Sequence, residues 1–375
     1  MKIGILTHPL DYNYGCLLQA FALQKTIREM GHEVITINRY SNPHRPFMVL
    51  LKGWIHRFVL RIIKHQDVSL CWNPIESLET KRILSSNTQK FVDRNIVNTG
   101  AVLPRDLQRI DEEYKFEAYV VGSDQVWLPH FSLNCFLNFV HRNNVKRIFY
   151  AASSGSRSFV DDPKILNECN ELVKNFSGIS VREDSLIPLV EKYLGREAIQ
   201  VLDPTLLLSS KDYINACGDQ IEQEPVIFSY ILDKTEDKQI LVDKVTHQLG
   251  LPVVHGSVEQ DYVKGKGMDI NKCIYPSVDS WIMNMSRAKF VVTDSFHGTC
   301  MSIVFRKPFV AFGNEGRGLN RFLSLLRLFG MENRLIVNSS EFNDAFYNSI
   351  DTNVLNDRIK ELQSISITYL KKNLQ

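Results

Sequence analysis

Short apolar runs alternate with segments of helical periodicity from the first residues of the chain onward. Residues 2–8 form an apolar, partly β-branched run, residues 17–31 repeat apolar positions at helical spacing, and residues 33–40 return to a strand pattern. A strand, a helix and a second strand in this order form a βαβ unit. Because the crossover of such a unit joins parallel strands, the pattern predicts a parallel sheet.

The same alternation continues along the chain in two series, with a break near residues 205–222. The further strand-like runs lie at 118–123, 145–153, 178–181 and 198–203 in the first series and at 224–232, 252–256, 289–295 and 308–313 in the second. The helical segments lie at 163–176, 184–194, 237–250, 278–288 and 298–307. Two such series predict an α/β protein with two Rossmann-like, doubly wound domains that face a cleft.

We expect the domain boundary close to the break between the two series. The N-terminal Rossmann-like domain then spans residues 1–208, and the C-terminal Rossmann-like domain spans residues 209–351. A last helical segment, residues 352–375, is a candidate to pack back on the N-terminal domain. The sequence alone does not decide how this segment packs.

The composition is that of an ordinary soluble globular protein, and it narrows the function classes. The chain has 375 residues, 44% of them hydrophobic, and its net charge of +2 gives no general attraction to nucleic acid. The seven cysteines are scattered, so we expect neither a disulfide framework nor a metal site. The chain has no GxGxxG motif and no P-loop, and we expect no cofactor. Without a signal peptide or a long apolar segment, we expect a cytoplasmic protein.

The strand-like run before Asp294 ends in a group of polar residues that suits a ligand site. Ligands of doubly wound sheets bind at the carboxyl ends of the strands, where Asp294, Ser295 and His297 stand here. Gly298 and Thr299 follow, where the start of a helix offers free N–H groups to an anion. We interpret His297 as a catalytic residue that Asp294 orients. In the structural alternative, the polar residues cap the helix and the imidazole packs in the core.

Two further strand-to-helix turns of the first series carry candidate residues for a sugar. The run VVGSDQVW places Ser123 and Asp124 after an apolar strand with Trp127 close behind, and an indole suits the face of a sugar. A carboxylate such as Asp124 can accept a proton from a sugar hydroxyl. A helix-capping Asp124 and a buried Trp127 are the structural alternative. At the first turn, where phosphate or sugar ligands are often held, the candidates are Asn13, Tyr14 and Gly15.

Three arginines stand where a carboxylate or phosphate group can be recognised. Arg182 follows the strand-like run at 178–181, and Arg317 and Arg321 lie just beyond the last strand-like run. The planar, forked guanidinium binds such anions through two parallel hydrogen bonds. A surface salt bridge is the alternative for each of these three. For a fourth arginine, Arg287, just before the strand-like run at 289–295, the surface salt bridge is the preferred interpretation.

Residues 44–66 form a basic, apolar segment that contains a tryptophan. Lysine, arginine and histidine alternate there with large apolar residues, and no acidic residue occurs from Ser41 to Gln66. Amphipathic segments of this kind lie at anionic membrane surfaces, which would make the protein peripheral at the inner face of the membrane. A helical insertion packed on the core, with its basic side chains reaching the solvent, is the alternative.

Taken together, these motifs resemble those of the polysaccharide pyruvyl transferases. The resemblance rests on five motifs in the family's order, which span roughly residues 3–330: NYGCLLQAFALQ, VVGSDQVW, ISVRE, LDPTLLL and VVTDSFHGTCMSIVFRKPF. It implies a fold like that of the GT-B glycosyltransferases, which we interpret with the N-terminal domain on the acceptor side and the C-terminal domain on the donor side. It also implies transfer of a pyruvyl group from phosphoenolpyruvate to a sugar, usually as a ketal that bridges two hydroxyls of a hexose.

The resemblance also implies a role for His297, which corresponds to the family's catalytic histidine and would be the general acid. Asp124 is our candidate base toward the acceptor, and Arg182 is our candidate contact to the carboxylate or phosphate of the donor. Some family members carry an arginine two residues before the histidine, where this chain has Ser295. The positive charge would then come from one of the two arginines beyond the last strand, or the donor would differ from phosphoenolpyruvate.

By analogy with the family, the acceptor is a cytoplasmic, lipid-linked oligosaccharide of bacterial capsule, exopolysaccharide or cell-wall synthesis. Two other functions fit the same residues. One is a GT-B-like glycosyltransferase that uses a nucleotide sugar, and the other is a non-catalytic relative that binds glycans. Stabilisation by nucleotide sugars and not by phosphoenolpyruvate would indicate the first of these, and sugar binding without turnover would indicate the second.

Overall fold

The structure is a computed structural model that describes most of the chain. The described residues are 1–40, 47–63, 78–127, 133–155, 162–218, 224–260, 262, 269–313 and 318–375. They fold into two parallel β-sheets with helices packed against them. This architecture confirms the predicted fold class, an α/β protein built from two Rossmann-like units.

The first sheet takes its strands from the N-terminal part of the chain. In chain order they are β1 (Lys2–Leu6), β2 (Glu33–Arg39), β3 (Asn98–Val102), β4 (Ala118–Val121), β5 (Lys146–Ala152), β6 (Gly178–Val181) and β7 (Ile199–Gln200). They are parallel, in the order β3-β2-β1-β4-β5-β6-β7. The direction of winding reverses between β1 and β4, which is the point where doubly wound sheets hold their ligands.

The second sheet is formed by the later strands, again all parallel. They are β8 (Val226–Tyr230), β9 (Val253–His255), β10 (Ala288–Thr293), β11 (Phe309–Phe312) and β12 (Leu335–Ile336). Their order is β12-β11-β10-β8-β9, so the winding reverses between β8 and β10. Because helices cover both faces of such a sheet, the interior strand β8 is buried along its whole length.

The helices connect and cover the strands. In the described residues they are α1 (Tyr14–Glu29), α2 (Phe47–Phe58), α3 (Leu78–Leu84), α4 (Ser86–Asn95), α5 (Leu107–Tyr114), α6 (Pro163–Val173), α7 (Ile187–Leu194), α8 (Ser210–Ala216), α9 (Glu236–Leu249), α10 (Val278–Arg287), α11 (Phe296–Val304), α12 (Leu319–Phe329) and α13 (Thr352–Leu374). A π-helical turn, Val59–Ile63, follows α2. Among the helices of the described ranges, none combines the length and the apolarity that a membrane span requires.

The predicted elements are confirmed with shifts at their ends. The helix predicted at 17–31 runs from Tyr14 to Glu29, because Asn13 caps its first turn. The strand predicted at 198–203 contains only two paired residues, since Asp203 already caps a 3₁₀ turn. Several elements were not predicted from the sequence, namely the strands β3 and β12 and the helices α3, α4, α5, α8 and α12.

Helices from the two sheets share one hydrophobic core. Leu17 and Phe21 of α1 lie in the same buried cluster as Trp281 of α10 and Met301 of α11. At the edge of this cluster, the ring of Tyr14 stacks on the indole of Trp281 with centroids 5.7 Å apart. The two sheets are therefore held together by packing around a cleft, which fixes the distance between residues on its two sides.

The last helix, α13, returns to the first sheet. Its residues Tyr369, Leu370 and Leu374 lie in a buried cluster with Ile3 and Ile5 of β1. The part of the chain that follows the second sheet thus packs against the first sheet. The predicted domain limits at residues 208 and 351 remain our proposal.

We expect the packing of α13 to contribute strongly to stability. Leu370 is fully buried, and replacing it by Ala should lower the free energy of unfolding by about 2–5 kcal/mol because a cavity is left in the core. The matched control is Ile365→Ala on the same helix, at a side chain that is 45% exposed. Urea unfolding of both variants measures the difference. Equal losses of stability would contradict the packing of this helix described above.

Candidate active site

A cavity of about 220 Å³ lies where the carboxyl ends of the two sheets face each other. It is lined from the first sheet by Tyr12, Asn13, Asp124 and Gln125, and from the second by Tyr230, Leu232, Tyr275, Asp294, Ser295, Phe296, His297 and Arg321. Both reversal points of the strand order open into it, since β1 and β4 supply one side and β8 and β10 the other. The cavity is thus at the place where the sequence predicts a ligand.

His297 lies in the first turn of α11, not before the helix as the sequence predicts. The helix begins at Phe296 because the side chain of Ser295 accepts a hydrogen bond from the N–H of Gly298 at 3.3 Å. The imidazole is 8% exposed, and its Nε2 lies 3.6 Å from Oδ2 of Asp203. This distance is that of an ion pair and is longer than a direct hydrogen bond. The carboxylate that faces His297 is therefore Asp203, which is not among the site residues predicted from the sequence.

Gly15 allows the imidazole to approach α1. A Cβ atom added at Gly15 would lie 2.1 Å from Nδ1 of His297, a separation at which the two atoms would overlap. Only glycine leaves this space at the first turn of α1. The prediction of Gly15 as a site residue thus acquires a physical reason, since its hydrogen side chain permits the two units to meet at His297.

Asp203 is held by several donors of the first sheet. Its Oδ1 accepts from the N–H of Thr205 at 3.0 Å and from the Thr205 hydroxyl at 2.7 Å. Its Oδ2 accepts from Ser123 Oγ at 3.1 Å and from Nη1 of Arg182 at 3.0 Å. Burial alone would raise the pKa of Asp203, but His297 and Arg182 lower it well below its ordinary value. Asp203 therefore presents a fixed negative charge to the imidazole.

Arg182 joins three carboxylates beneath the cavity. Its guanidinium contacts Glu183 at 3.0 Å, Asp203 at 3.0 Å and Asp124 at 3.3 Å, and the side chain is 2% exposed. The guanidinium carbon also lies 4.1 Å from the ring centre of Phe296, on the opposite unit. Arg182 does not line the cavity. In place of the donor contact that the sequence suggested, we assign it the role of positioning the carboxylates.

Asp124 lines the cavity, as the sequence predicts, but its environment makes it a weak base. Burial would raise its pKa, yet the charges of Arg182, His8 and His297 lower it well below its ordinary value. Its Oδ2 also lies 3.5 Å from the thiol of Cys16. A carboxylate that binds protons so weakly is poorly matched to the general-base role that we assigned to it.

Asp294 is occupied by a different set of partners from the one expected. Its carboxylate accepts hydrogen bonds from the N–H groups of Leu232 at 2.6 Å and Asp233 at 2.9 Å. It also forms a buried salt bridge with Lys238 at 2.7 Å. Asp294 therefore holds the loop after β8 at the wall of the cavity. The position beside His297, which we predicted for Asp294, is occupied by Asp203.

The other predicted residues divide between the cavity and the core. Asn13, Ser295 and Arg321 line the cavity. Several others are buried and contact protein groups instead, namely Tyr14, Ser123, Trp127, Gly298 and Thr299. For Trp127, which packs against Phe149, the buried alternative is thus the better description, and Ser123 donates to protein oxygens. Arg317 lies outside the described residues.

The arrangement is suited to binding a small anion next to an imidazole. The first turns of α1 and α11 both reach the cavity, and helix N-termini carry free N–H groups and a positive partial charge. Arg321 adds a guanidinium on the same side as His297. Within the described ranges, no group of three or more metal-binding side chains occurs.

Comparison with known proteins finds one matching family model. The family model described as polysaccharide pyruvyl transferase matches residues 13–316. No curated protein matches the chain.

Among solved structures, UDP-GlcNAc 2-epimerase from Neisseria meningitidis bound to UDP-GlcNAc is 14% identical, with a TM-score of 0.49 and coverage of 100% of both chains. Arabidopsis thaliana UGT89C1 complexed with UDP is 12% identical, with a TM-score of 0.48 over 100% of this chain and 98% of that chain. At these values the two likenesses carry no argument about function.

The contact between Gly15 and His297 can be tested by adding one methyl group. Gly15→Ala should displace the imidazole and shift its NMR signals, which are assigned through their loss in His297→Gln. The control is Gly218→Ala, where the nearest atom to an added Cβ lies 3.7 Å away and no displacement is needed. Unchanged imidazole signals in Gly15→Ala would mean that the two units do not meet at this point.

The lowered pKa of Asp203 predicts a particular response to acid. The ordinary pKa is 3.8, so the stability that Asp203 contributes is complete above that pH and is lost as the pH falls toward the lower folded value. We expect Asp203→Asn to be less stable near neutral pH and to lose less further stability below about pH 4 than the parent. Urea midpoints between neutral and acid pH measure this, with exposed Asp357→Asn as control. Parallel curves for Asp203→Asn and the parent would contradict the assignment.

Proposed function

This chain belongs to the polysaccharide pyruvyl transferase family, whose model matches residues 13–316, and on that basis we propose a specific reaction. The protein transfers a pyruvyl group from phosphoenolpyruvate to a hexose of a surface-polysaccharide precursor and closes it as a ketal. The observation that carries this proposal is the approach of His297 to Asp203, at 3.6 Å, beside a cavity to which both sheets contribute.

The chemistry of an enol phosphate defines what the site must supply. Protonation of the methylene carbon of phosphoenolpyruvate turns it into a methyl group and leaves an oxocarbenium-like centre at C2. One sugar hydroxyl attacks C2 and loses its proton, the C2–O bond to phosphate breaks, and a second hydroxyl then closes the ketal. The first hydroxyl proton balances the one added at carbon, and the second leaves with inorganic phosphate. The enzyme therefore needs an acid near the methylene carbon and positive charge around the phosphate.

In this proposal His297 is the general acid. Imidazole is the side chain whose ordinary titration range allows it to give and regain a proton near neutral pH. Asp203 stays ionised and orients the ring, as carboxylates do beside catalytic histidines. The first turn of α1 supports the ring from the other side, because Gly15 leaves room for it.

The positive charge for the donor comes, in our proposal, from three sources around the cavity. These are the guanidinium of Arg321 and the N-terminal turns of α1 and α11. They stand in for the arginine that some family members carry at the position of Ser295. The Ser295 hydroxyl is engaged as the helix cap, so a serine at this position keeps the first turn of α11 in place. Arg317 remains a candidate on the grounds of its sequence position.

The acceptor that we propose is a lipid-linked oligosaccharide used in bacterial capsule, exopolysaccharide or cell-wall synthesis. Tyr12 and Tyr275 support a sugar acceptor, because their rings stack at 4.4 Å at the cavity wall and offer an aromatic surface. Asn13 and Gln125 add amide groups that can bind hydroxyls. We place the reaction at the cytoplasmic face of the membrane, where such acceptors carry their saccharide.

Release of inorganic phosphate from phosphoenolpyruvate in the presence of a hexose acceptor tests the reaction. We expect His297→Gln to lower the rate by roughly 100- to 10,000-fold, which is the range for loss of a general acid. The control is His247→Gln on the exposed face of α9, which should retain the parent rate. Thermal unfolding of both variants establishes that each is folded.

Two outcomes would overturn the proposal. Full phosphate release by His297→Gln would remove this residue from the proton transfer. Stabilisation of the parent by nucleotide sugars, without any by phosphoenolpyruvate, would assign the cavity to a different donor.

A further inference from the structure

The helix α2 and the π turn after it carry an apolar face that the protein leaves in solvent. Trp54 is 45% exposed, Ile55 57%, Phe58 54% and Ile62 52%. From residue 51 to residue 62, no side chain is buried. This contrasts with the other helices that flank the sheets, each of which buries part of its surface, such as α1 and α10. A run of large apolar side chains left in water is unfavourable unless something else covers it.

The spacing gathers these side chains into one stripe. Residues 54, 58 and 62 follow at intervals of four, and residue 55 lies three before 58, so all of them fall on one side of the helix. Basic side chains lie on both flanks of this stripe, with Arg57 and Arg61 on one flank and Lys52 and His56 on the other. No acidic residue occurs from Ser41 to Gln66. The segment thus presents an apolar stripe edged by positive charge.

The described residues that flank this segment in the chain lie at the carboxyl edge of the first sheet, as the cavity does. Strand β2 ends at Arg39 before α2, and α3 is the next described helix after the π turn. There Lys81 forms a salt bridge with Asp11 at 3.4 Å and lies over the ring of Tyr40 at 5.5 Å. Asp11 immediately precedes Tyr12, which lines the cavity. The described chain on both sides of α2 is therefore held at the edge of the sheet that contains the site.

We propose that α2 and its π turn dock in the plane of an anionic phospholipid surface. Trp54, Ile55, Phe58 and Ile62 enter the boundary between headgroups and acyl chains, and the flanking basic side chains contact lipid phosphates. The charge pattern favours lipid over a protein partner, because phosphate headgroups complement every charge of the segment and require no acidic residue within it. Stable attachment to a membrane needs two favourable contributions. Here they are the burial of the apolar stripe and the attraction of the basic side chains to anionic lipid.

Because the residues that flank α2 lie at the carboxyl edge of the first sheet, docking would bring this edge, and with it the cavity, toward the membrane. In that respect the inference rests on the proposed function, because a lipid-linked acceptor then presents its saccharide at the cavity. The attachment itself depends only on the exposed stripe and its charges, so it can be measured without any substrate.

Sedimentation with vesicles tests the attachment on the full chain. We expect the parent to bind vesicles of phosphatidylcholine with added phosphatidylglycerol, to bind pure phosphatidylcholine weakly, and to be released by salt. A variant with K52Q, R57Q and R61Q should bind the anionic vesicles roughly a hundredfold more weakly, since each basic residue contributes about fivefold. A variant with W54S, F58S and I62S should also lose binding, because its apolar stripe is removed.

The controls are matched in chemistry and lie elsewhere on the surface. R109Q with K174Q removes exposed basic charge, and I240S with V354S removes exposed apolar side chains that are 52% and 66% exposed. Both should bind vesicles like the parent.

Two results would overturn the proposal. One is equal binding of the parent to neutral and anionic vesicles, or binding to neither. The other is a dimeric molar mass of the parent in light scattering, together with a monomeric mass of the W54S, F58S and I62S variant. This result would show that the stripe holds two copies of the chain together.

Phosphate release with a water-soluble hexose acceptor separates this proposal from the reaction. Failure of docking with retained phosphate release would refute the membrane surface alone. Vesicle binding without phosphate release would leave the surface in place and refute the reaction.

Discussion

The salt bridges of Arg182 with Asp124, Glu183 and Asp203 fix the carboxyl edge of the first sheet. These residues follow three different strands, β4, β6 and β7, and all of them are buried. Removing one member of such a cluster leaves an uncompensated charge in the interior, which costs about 3–5 kcal/mol. The cluster therefore holds its members in one arrangement, and that arrangement presents one side of Asp203 to His297. The position of the acid and the integrity of the fold depend on the same contacts.

Neither sheet alone makes the site. The first sheet supplies Asp203, Asp124 and the first turn of α1, and the second supplies His297 and Arg321. They meet because α1, α10 and α11 share one hydrophobic core, which keeps the two strand edges at a constant distance. A site between two sheets suits a reaction that needs an acid on one side of the substrate and positive charge around it. The exposed face of α2 is a separate element, which lies in the chain between β2 and α3.

The elements and the place of the site could be predicted from the sequence, whereas the partners of its charges could not. Periodicity located the strands, and the rule that ligands bind at strand ends located His297 and Asp124. The same rule would have found Asp203, because it is the last residue of the run at 198–203 and belongs to the motif LDPTLLL. Asp294 was assigned to His297 by proximity in the chain, but it binds Lys238, 56 residues away, a contact that only the packing of α9 on the sheet creates. The burial of Arg182 could not be predicted either, because a sequence shows its charge and not the three carboxylates around it.

The central claim is that an acid in this cavity protonates the methylene carbon of phosphoenolpyruvate before a sugar is joined to C2. The most direct measurement is mass spectrometry of the glycan product formed in deuterium oxide. The account predicts a pyruvyl ketal whose methyl group carries one deuterium from the solvent-exchanged acid. A product with an intact enol ether, a ketal without deuterium, or a transferred sugar in place of a pyruvyl group would contradict it.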